Sequence, residues 1–188
     1  VKPYHLLNFA IMGCVYAQKM LHIANPTVAL LSVGAEEGKG NQLVKESFPL
    51  FKQSGLNFIG NIEGNDLVTG KANVVVCDGF VGNIILKFGE ALGSTISQWL
   101  RDNLKGKLPD AEVERISHNL YSLTNSTEQA GGGPLLGVNG VSLVMHGRSQ
   151  APEFTGAIAM AKAVVESDMV NEINLELSRV RARLGNIS

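Results

Sequence analysis

The chain of 188 residues is 45% hydrophobic and 18% charged, a composition that suits one globular domain with a sizeable core. Its 16 basic and 17 acidic residues leave a formal charge of −1, so no global field attracts nucleic acid and any anion site must be local. No apolar run reaches the roughly eighteen residues needed to span a bilayer.

Cys14 and Cys77 both lie in apolar runs without metal-ligand spacing, which reads as buried reduced thiols of a cytoplasmic protein. The opening "VKPYHLLNFA" lacks the charged-then-apolar build and small-residue cleavage site of a signal peptide. It does not start with methionine and reads as the continuation of a longer chain.

From Tyr4 to Leu21, apolar residues recur at Leu7, Ala10, Ile11, Val15 and Leu21, a helical pattern with Pro3 near its start. "TVALLSVG" (27–34) is β-branched and uninterrupted, as in a strand covered on both faces. A helix over 42–53 follows, ended by Gly55. "LNFIGNIEG" (56–64) predicts a second strand entering a glycine loop, and "ANVVVCDGFVGN" (72–83) a third with its own loop.

A long helix is predicted from about Gly82 to Leu104, with an apolar stripe of Ile85, Phe88, Leu92, Ile96 and Trp99. Gly106 and Pro109 punctuate before a second amphipathic helix carrying Val113, Ile116, Leu120 and Leu123. "GGGPLLGVNG" then precedes a strand over 141–147, and one final helix runs from about Pro152 with Phe154 through Leu184 on one side. Strands alternating with helices predict an α/β fold with a mostly parallel sheet, whose ligands bind at the carboxyl ends of the strands.

Four loops at such ends can carry chemistry. In "GAEEGKGN" (34–41), Gly38 and Gly40 let backbone N–H groups approach an anion, Asn41 precedes a helix start, and Lys39 supplies a compact full charge. It is not a P-loop, which needs Ser or Thr where Gly40 stands. The alternative is a plain turn with a solvated lysine. In "CDGFVGN" (77–83), Asp78, Gly79 and Gly82 lead to Asn83, in the first turn of the long helix, where it can hydrogen-bond a substrate oxygen; the alternative makes Asp78 or Asn83 a helix cap.

In "GNIEGND" (60–66), Asn61 and Glu63 line the same cleft, or Glu63 only supports a neighbour. His146 ends the 141–147 strand beside Gly147, a place for a proton carrier or a structural hydrogen bonder. Cys77 has no evident partner base to make it a nucleophile. His5, His22 and His118 do not cluster with acids or cysteines at ligand spacing, which argues against a metal site.

"KPYHLLNFAIMGCVYA", "EEGKGN", "NFIGNIEGNDLVTGKANVVVCDGFVGN" and "GGGPLLGVNG" with "HGRS" together, in this order, resemble the PlsX family, the phosphate acyltransferases of bacterial phospholipid synthesis. The resemblance covers nearly the whole chain except about 105–128 and the carboxy-terminal tail, and implies that 1–188 is the carboxy-terminal portion of a longer protein. Asn73, Gly133 and Arg148 stand where aspartate, alanine and serine are usual.

The resemblance implies a three-layer α/β/α sandwich like that of phosphate acetyltransferases and isocitrate or isopropylmalate dehydrogenases, usually a homodimer. It also implies transfer of a fatty acyl group from acyl carrier protein to inorganic phosphate, without cofactor or metal. In the family the residues matching Lys39 and Asn83 are tied to activity, and Lys39 is expected to hold phosphate, the thioester oxyanion, or both in turn. The physical chemistry agrees: phosphate is already a nucleophile, so the tasks are positioning and oxyanion stabilisation.

Two alternatives stand beside this reading: an acetyl- or butyryltransferase using coenzyme A, and a non-catalytic dimerisation or docking fragment. The region 82–124 carries the apolar stripes of both amphipathic helices and predicts a dimerisation element. Its joint, "WLRDNLKGKLPDAEV", mixes Leu100, Leu104 and Leu108 with Arg101, Lys105 and Lys107. That mixture suits peripheral contact with anionic lipid, contact with acidic acyl carrier protein, or an ordinary solvated hairpin.

Overall fold

The computed structural model describes residues 1–124, 132–145, 147 and 149–185, apart from the side chain of Leu123. They form two compact units. The first comprises the described residues of Val1–Asp78, Leu136–Ser142 and Lys162–Ser188, and the second those of Gly79–Leu135 and Leu143–Ala161.

The first unit is built on three parallel strands, β1 (Val28–Leu31), β2 (Phe58–Ile62) and β3 (Val74–Val76), in the order β2-β1-β3. β1 is central, so an apolar run without polar alternation is what its position requires, and Val28, Ala29 and Leu30 are fully buried. Val28 stands opposite Phe58 on one side and Val74 on the other. At the entry to the sheet, Asn73 Oδ1 accepts from both the backbone N–H and the hydroxyl of Thr27 at 2.9 Å. The Asn73 N–H donates to Thr27 Oγ1 at 3.0 Å, so the two residues align β3 with β1.

Helices α1 (Pro3–Met20) and α2 (Gln42–Ser54) pack on this sheet and on each other. Pro3 occupies the first turn of α1, where its missing N–H costs nothing. Leu6, Ile11 and Phe51 meet Val28 and Leu30 in one core, and burying each such side chain stabilises by roughly 1.5–3 kcal/mol. Gly55 closes α2 in the left-handed region, with φ 83°. Arg183 lies so close to Gly55 that a Cβ there would overlap its guanidinium, and its Nη1 donates to the Ser54 carbonyl at 3.2 Å.

The second unit is built on an antiparallel hairpin of α4 (Gly79–Leu104) and α5 (Asp110–Thr124), turned at Gly106 with φ 75°. The face of α4 against α5 is small: Gly93 abuts Thr124, and Ser97 Oγ donates to the Ser117 carbonyl at 3.1 Å. The apolar stripe of α4 points elsewhere, with Phe88, Leu92, Ile96 and Trp99 all exposed. This unit also holds a two-stranded antiparallel ribbon of β4 (Gly133–Pro134) and β5 (Leu143–Val144). Helix α6 (Ala151–Glu166) belongs to it as far as Ala161, and α7 (Met169–Leu184) packs on α1 and α2 in the first unit.

The chain is therefore α/β with a parallel sheet and mostly helices, and several boundaries differ from the sequence expectation. The third strand stops at Val76 and α4 starts at Gly79, three residues earlier than predicted, so Asn83 is the fifth residue of the helix rather than a first-turn residue. The predicted loop after β2 contains a short helix, α3 (Gly64–Thr69), which begins where the Asp66 carboxylate accepts the Glu63 N–H at 3.0 Å. The strand predicted over 141–147 is reduced to Leu143–Val144 and pairs outside the parallel sheet. The single final helix is two, because Asp168 takes φ 53° and restarts the chain: its carboxylate accepts from Asn171 Nδ2 at 2.7 Å and its carbonyl from the Glu172 N–H.

Candidate functional site

Parallel pairing brings the carboxyl ends of β1, β2 and β3 to one edge of the sheet, and three of the four loops singled out in the sequence follow those ends, whereas the fourth belongs to the separate β4–β5 ribbon. After β1 the chain turns over Glu36–Lys39, with the Lys39 N–H donating to the Glu36 carbonyl at 3.0 Å. Gly34 is buried beneath this turn. A Cβ there would stand 2.9 Å from Lys39 Cγ and 2.9 Å from Glu36 Oε2, so the glycine lets both side chains lie against the strand end. Lys39 is exposed, and among the described residues its ammonium has no ion-pair partner within 4.0 Å. Glu37 is drawn away by Lys52 at 3.3 Å.

Gly40 has φ 105°, and a Cβ would collide with Val44 and with Ser32 Oγ, so only glycine fits there. Gly38 faces open space. Asn41 caps α2: its Oδ1 accepts the Val44 N–H at 2.9 Å, which commits that oxygen to the helix rather than to a substrate. The N–H groups of Gln42 and Leu43 have no intrahelical acceptor by construction, so the positive end of α2 opens two residues beyond Lys39.

The β2 residues divide by burial. Asn61 is only 4% exposed, so it does not line an open cleft as the sequence suggested; its Nδ2 donates to the Glu36 carbonyl at 2.9 Å. Glu63 is exposed and stands at the N-cap of α3. Lys71 Nζ lies 3.0 Å from Asp66 Oδ2, and the Glu63 backbone bond together with this cation holds the Asp66 carboxyl below the usual carboxylate range.

At the end of β3, burial and the neighbouring Asp78 charge push the Cys77 thiol up, away from the thiolate a nucleophile needs. Asp78 is half-buried and directly precedes α4. Gly79, Gly82 and Asn83 occupy the first turns of α4 in the second unit, and Asn83 is exposed. Being inside the helix, Asn83 is not its cap. His146 and Arg148 lie outside the described residues.

Lys39, Gly38, Gly40, Asn41, Asn61, Glu63 and Asp78 thus share one sheet edge in the first unit. Motif spacing did not single out Ser32 or Gly34. The signal for Ser32 is a polar residue closing an apolar run, and its Oγ is buried beside Gly40 without a hydrogen-bond partner among the described residues. Among the described residues no three His, Cys, Asp or Glu side chains converge as a metal site would require.

The model of the fatty acid synthesis protein family matches residues 1–172. The chain is 43% identical over 175 residues to a phosphate acyltransferase of Heliobacterium modesticaldum, covering 92% of this chain and 52% of that protein. It is 46% identical over 183 residues to a phosphate acyltransferase of Thermoanaerobacterium thermosaccharolyticum, covering 95% and 55%. It is 45% identical over 179 residues to one of Desulforamulus reducens, covering 94% and 54%. The chain therefore spans about half the length of the curated relatives it matches. With a match over more than nine-tenths of its residues, the chain belongs to the fatty acid synthesis protein family, the PlsX family.

Proposed function

We propose that the protein moves a fatty acyl group from acyl carrier protein to inorganic phosphate, giving acyl phosphate for phospholipid synthesis. The observation that carries this reading is Lys39. It is an exposed cation without an ion-pair partner among the described residues, on a turn walled by Gly34 and Gly40 just before the N-terminus of α2. A full charge two residues before the N-cap of a helix suits a phosphate or a developing oxyanion.

In the proposed reaction a phosphate oxygen attacks the thioester carbonyl, the carbon–oxygen bond forms and the carbon–sulfur bond breaks. The proton of hydrogenphosphate passes to the departing thiol of the carrier protein. Phosphate supplies the nucleophile, so no serine or cysteine ester is needed; the raised thiol of Cys77 agrees with that. Lys39 and Asn83 are each proposed to act in catalysis, with Asn83 donating to a substrate oxygen. The proposed architecture is the three-layer sandwich of phosphate acetyltransferases and isocitrate-type dehydrogenases.

The protein is proposed to act as a cytoplasmic homodimer through 82–124, where Phe88, Leu92 and Trp99 are exposed along one helix. The turn carrying Lys105, Lys107 and Leu108 is a proposed peripheral contact with anionic membrane; among the described residues no helix is long and apolar enough to cross one. The test is acyl transfer by the full chain with acyl carrier protein thioester and phosphate, run beside an acyl-coenzyme A arm. Phosphate-dependent release of free carrier protein is expected, and release from coenzyme A alone would overturn the reading.

A further inference from the structure

We propose that Asn61 is a positioning residue for Lys39, acting through the Glu36 carbonyl; this rests on the reading of Lys39 as the phosphate-binding cation. The Glu36 oxygen accepts twice, from the Lys39 N–H at 3.0 Å and from Asn61 Nδ2 at 2.9 Å. The first bond closes the turn that carries Lys39. The second ties that turn to β2, a different strand of the rigid sheet.

Within the Glu36–Lys39 turn there is one other side-chain anchor among the described residues, the Glu37–Lys52 ion pair at 3.3 Å. Both of its side chains are more than 60% exposed, so water and salt screen it. Asn61, 4% exposed, is the interior anchor and is not screened. Its placement also carries a cost, because Asn61 Oδ1 is buried with no hydrogen-bond partner among the described residues. A leucine of nearly the same shape would avoid that cost and leave the Glu36 carbonyl still bonded to Lys39. An asparagine held there against its own burial penalty acts on the turn, and the turn sets where the lysine stem leaves the backbone.

The inference is tested by a double-mutant cycle in the full chain, using steady-state acyl transfer with inorganic phosphate as the varied substrate. Asn61→Leu is expected to raise the KM for phosphate about tenfold while leaving the KM for the acyl donor within about twofold. Asn61→Asp, which replaces the donor with an acceptor at constant shape, is the second variant should the leucine variant fail to fold; circular dichroism reports on both. Added to Lys39→Ala, the Asn61 change is expected to lower kcat/KM by less than about twofold, because its effect passes through Lys39. An unchanged KM for phosphate in the folded Asn61 variants, or the whole tenfold loss persisting without Lys39, overturns the inference while the reading of Lys39 stands. Normal turnover in Lys39→Ala alone overturns that reading, and this inference with it.

Discussion

Gly93 of α4 abuts Thr124 of α5 so closely that a Cβ on the glycine would stand 1.8 Å from the threonine Oγ1. One turn further along α4, Ser97 is fully buried and bonds the Ser117 carbonyl, so small residues four apart let the two helix backbones approach. The larger apolar side chains of α4 are consequently left for the outside. Gly93→Ala is expected to destabilise the hairpin by about 1–3 kcal/mol through overpacking, although alanine is the better helix former. Thermal unfolding of the two proteins measures it, and an unchanged or raised melting temperature would show that the contact yields freely.

Phe88 and Trp99 are 67% and 59% exposed on one stripe of a long helix, a face that costs free energy in water unless it is covered. A second copy of the chain is the proposed cover. Light scattering at micromolar concentration is expected to give twice the chain mass, and Phe88→Asp with Trp99→Asp the single mass. A wild-type chain that is monomeric under those conditions would leave the stripe to another partner.

Membrane contact has its own readout at the α4–α5 turn, where Leu108 is exposed beside Lys105 and Lys107. Leu104→Glu plus Leu108→Glu is expected to reduce co-sedimentation with vesicles containing anionic phospholipid. Equal sedimentation of wild type and variant would argue against lipid contact there.

Much of this architecture was legible in the sequence, and the failures have local causes. Helices α1, α2 and α5 and the segments of the three parallel strands follow from periodicity and from glycines such as Gly55, whose left-handed cap the chain spells out, whereas the order of the strands in the sheet did not. The break at Asp168 was not legible, because neither glycine nor proline marks it and the apolar spacing runs through from Phe154 to Leu184. Helix α3 was hidden by its length and its glycine neighbours, with its start defined by one carboxylate bond from Asp66. At the candidate site, the turn that carries Lys39 was legible from its flanking glycines. The burial of Asn61 was not, since residue type alone does not report which face of β2 a loop will cover.

Burial, with the Glu176 charge adding to it, pushes the Cys14 thiol from 9.0 up to about 11. A folded pKa raised above the unfolded one favours the folded state fully below the unfolded value, and that stability is lost as pH rises towards the folded value. The stability advantage of wild type over Cys14→Ala is therefore expected to shrink between about pH 9 and 11, as denaturant unfolding would measure. Alkylation of Cys14 in the native protein at pH 8 is expected to be far slower than in denaturant. Equal rates in the two states would contradict the burial that shifts the thiol.

Asn83 offers the sharpest separation of chemistry from structure. It is exposed and is the fifth residue of α4, past the positions where an asparagine caps a helix, so a capping role would give it nothing to lose. Inside a helix, alanine is favoured over asparagine by up to about 0.7 kcal/mol, so Asn83→Ala should melt at the same temperature or slightly higher. If Asn83 donates to the substrate oxygen, the same variant should lose about 100- to 1,000-fold in kcat, the usual cost of one preorganised oxyanion donor. Asn83→Asp keeps the shape but replaces the donor with a negative charge, and is expected to be at least as inactive. Lower stability with normal turnover in Asn83→Ala would make the residue structural and leave Lys39 to carry the proposed chemistry alone.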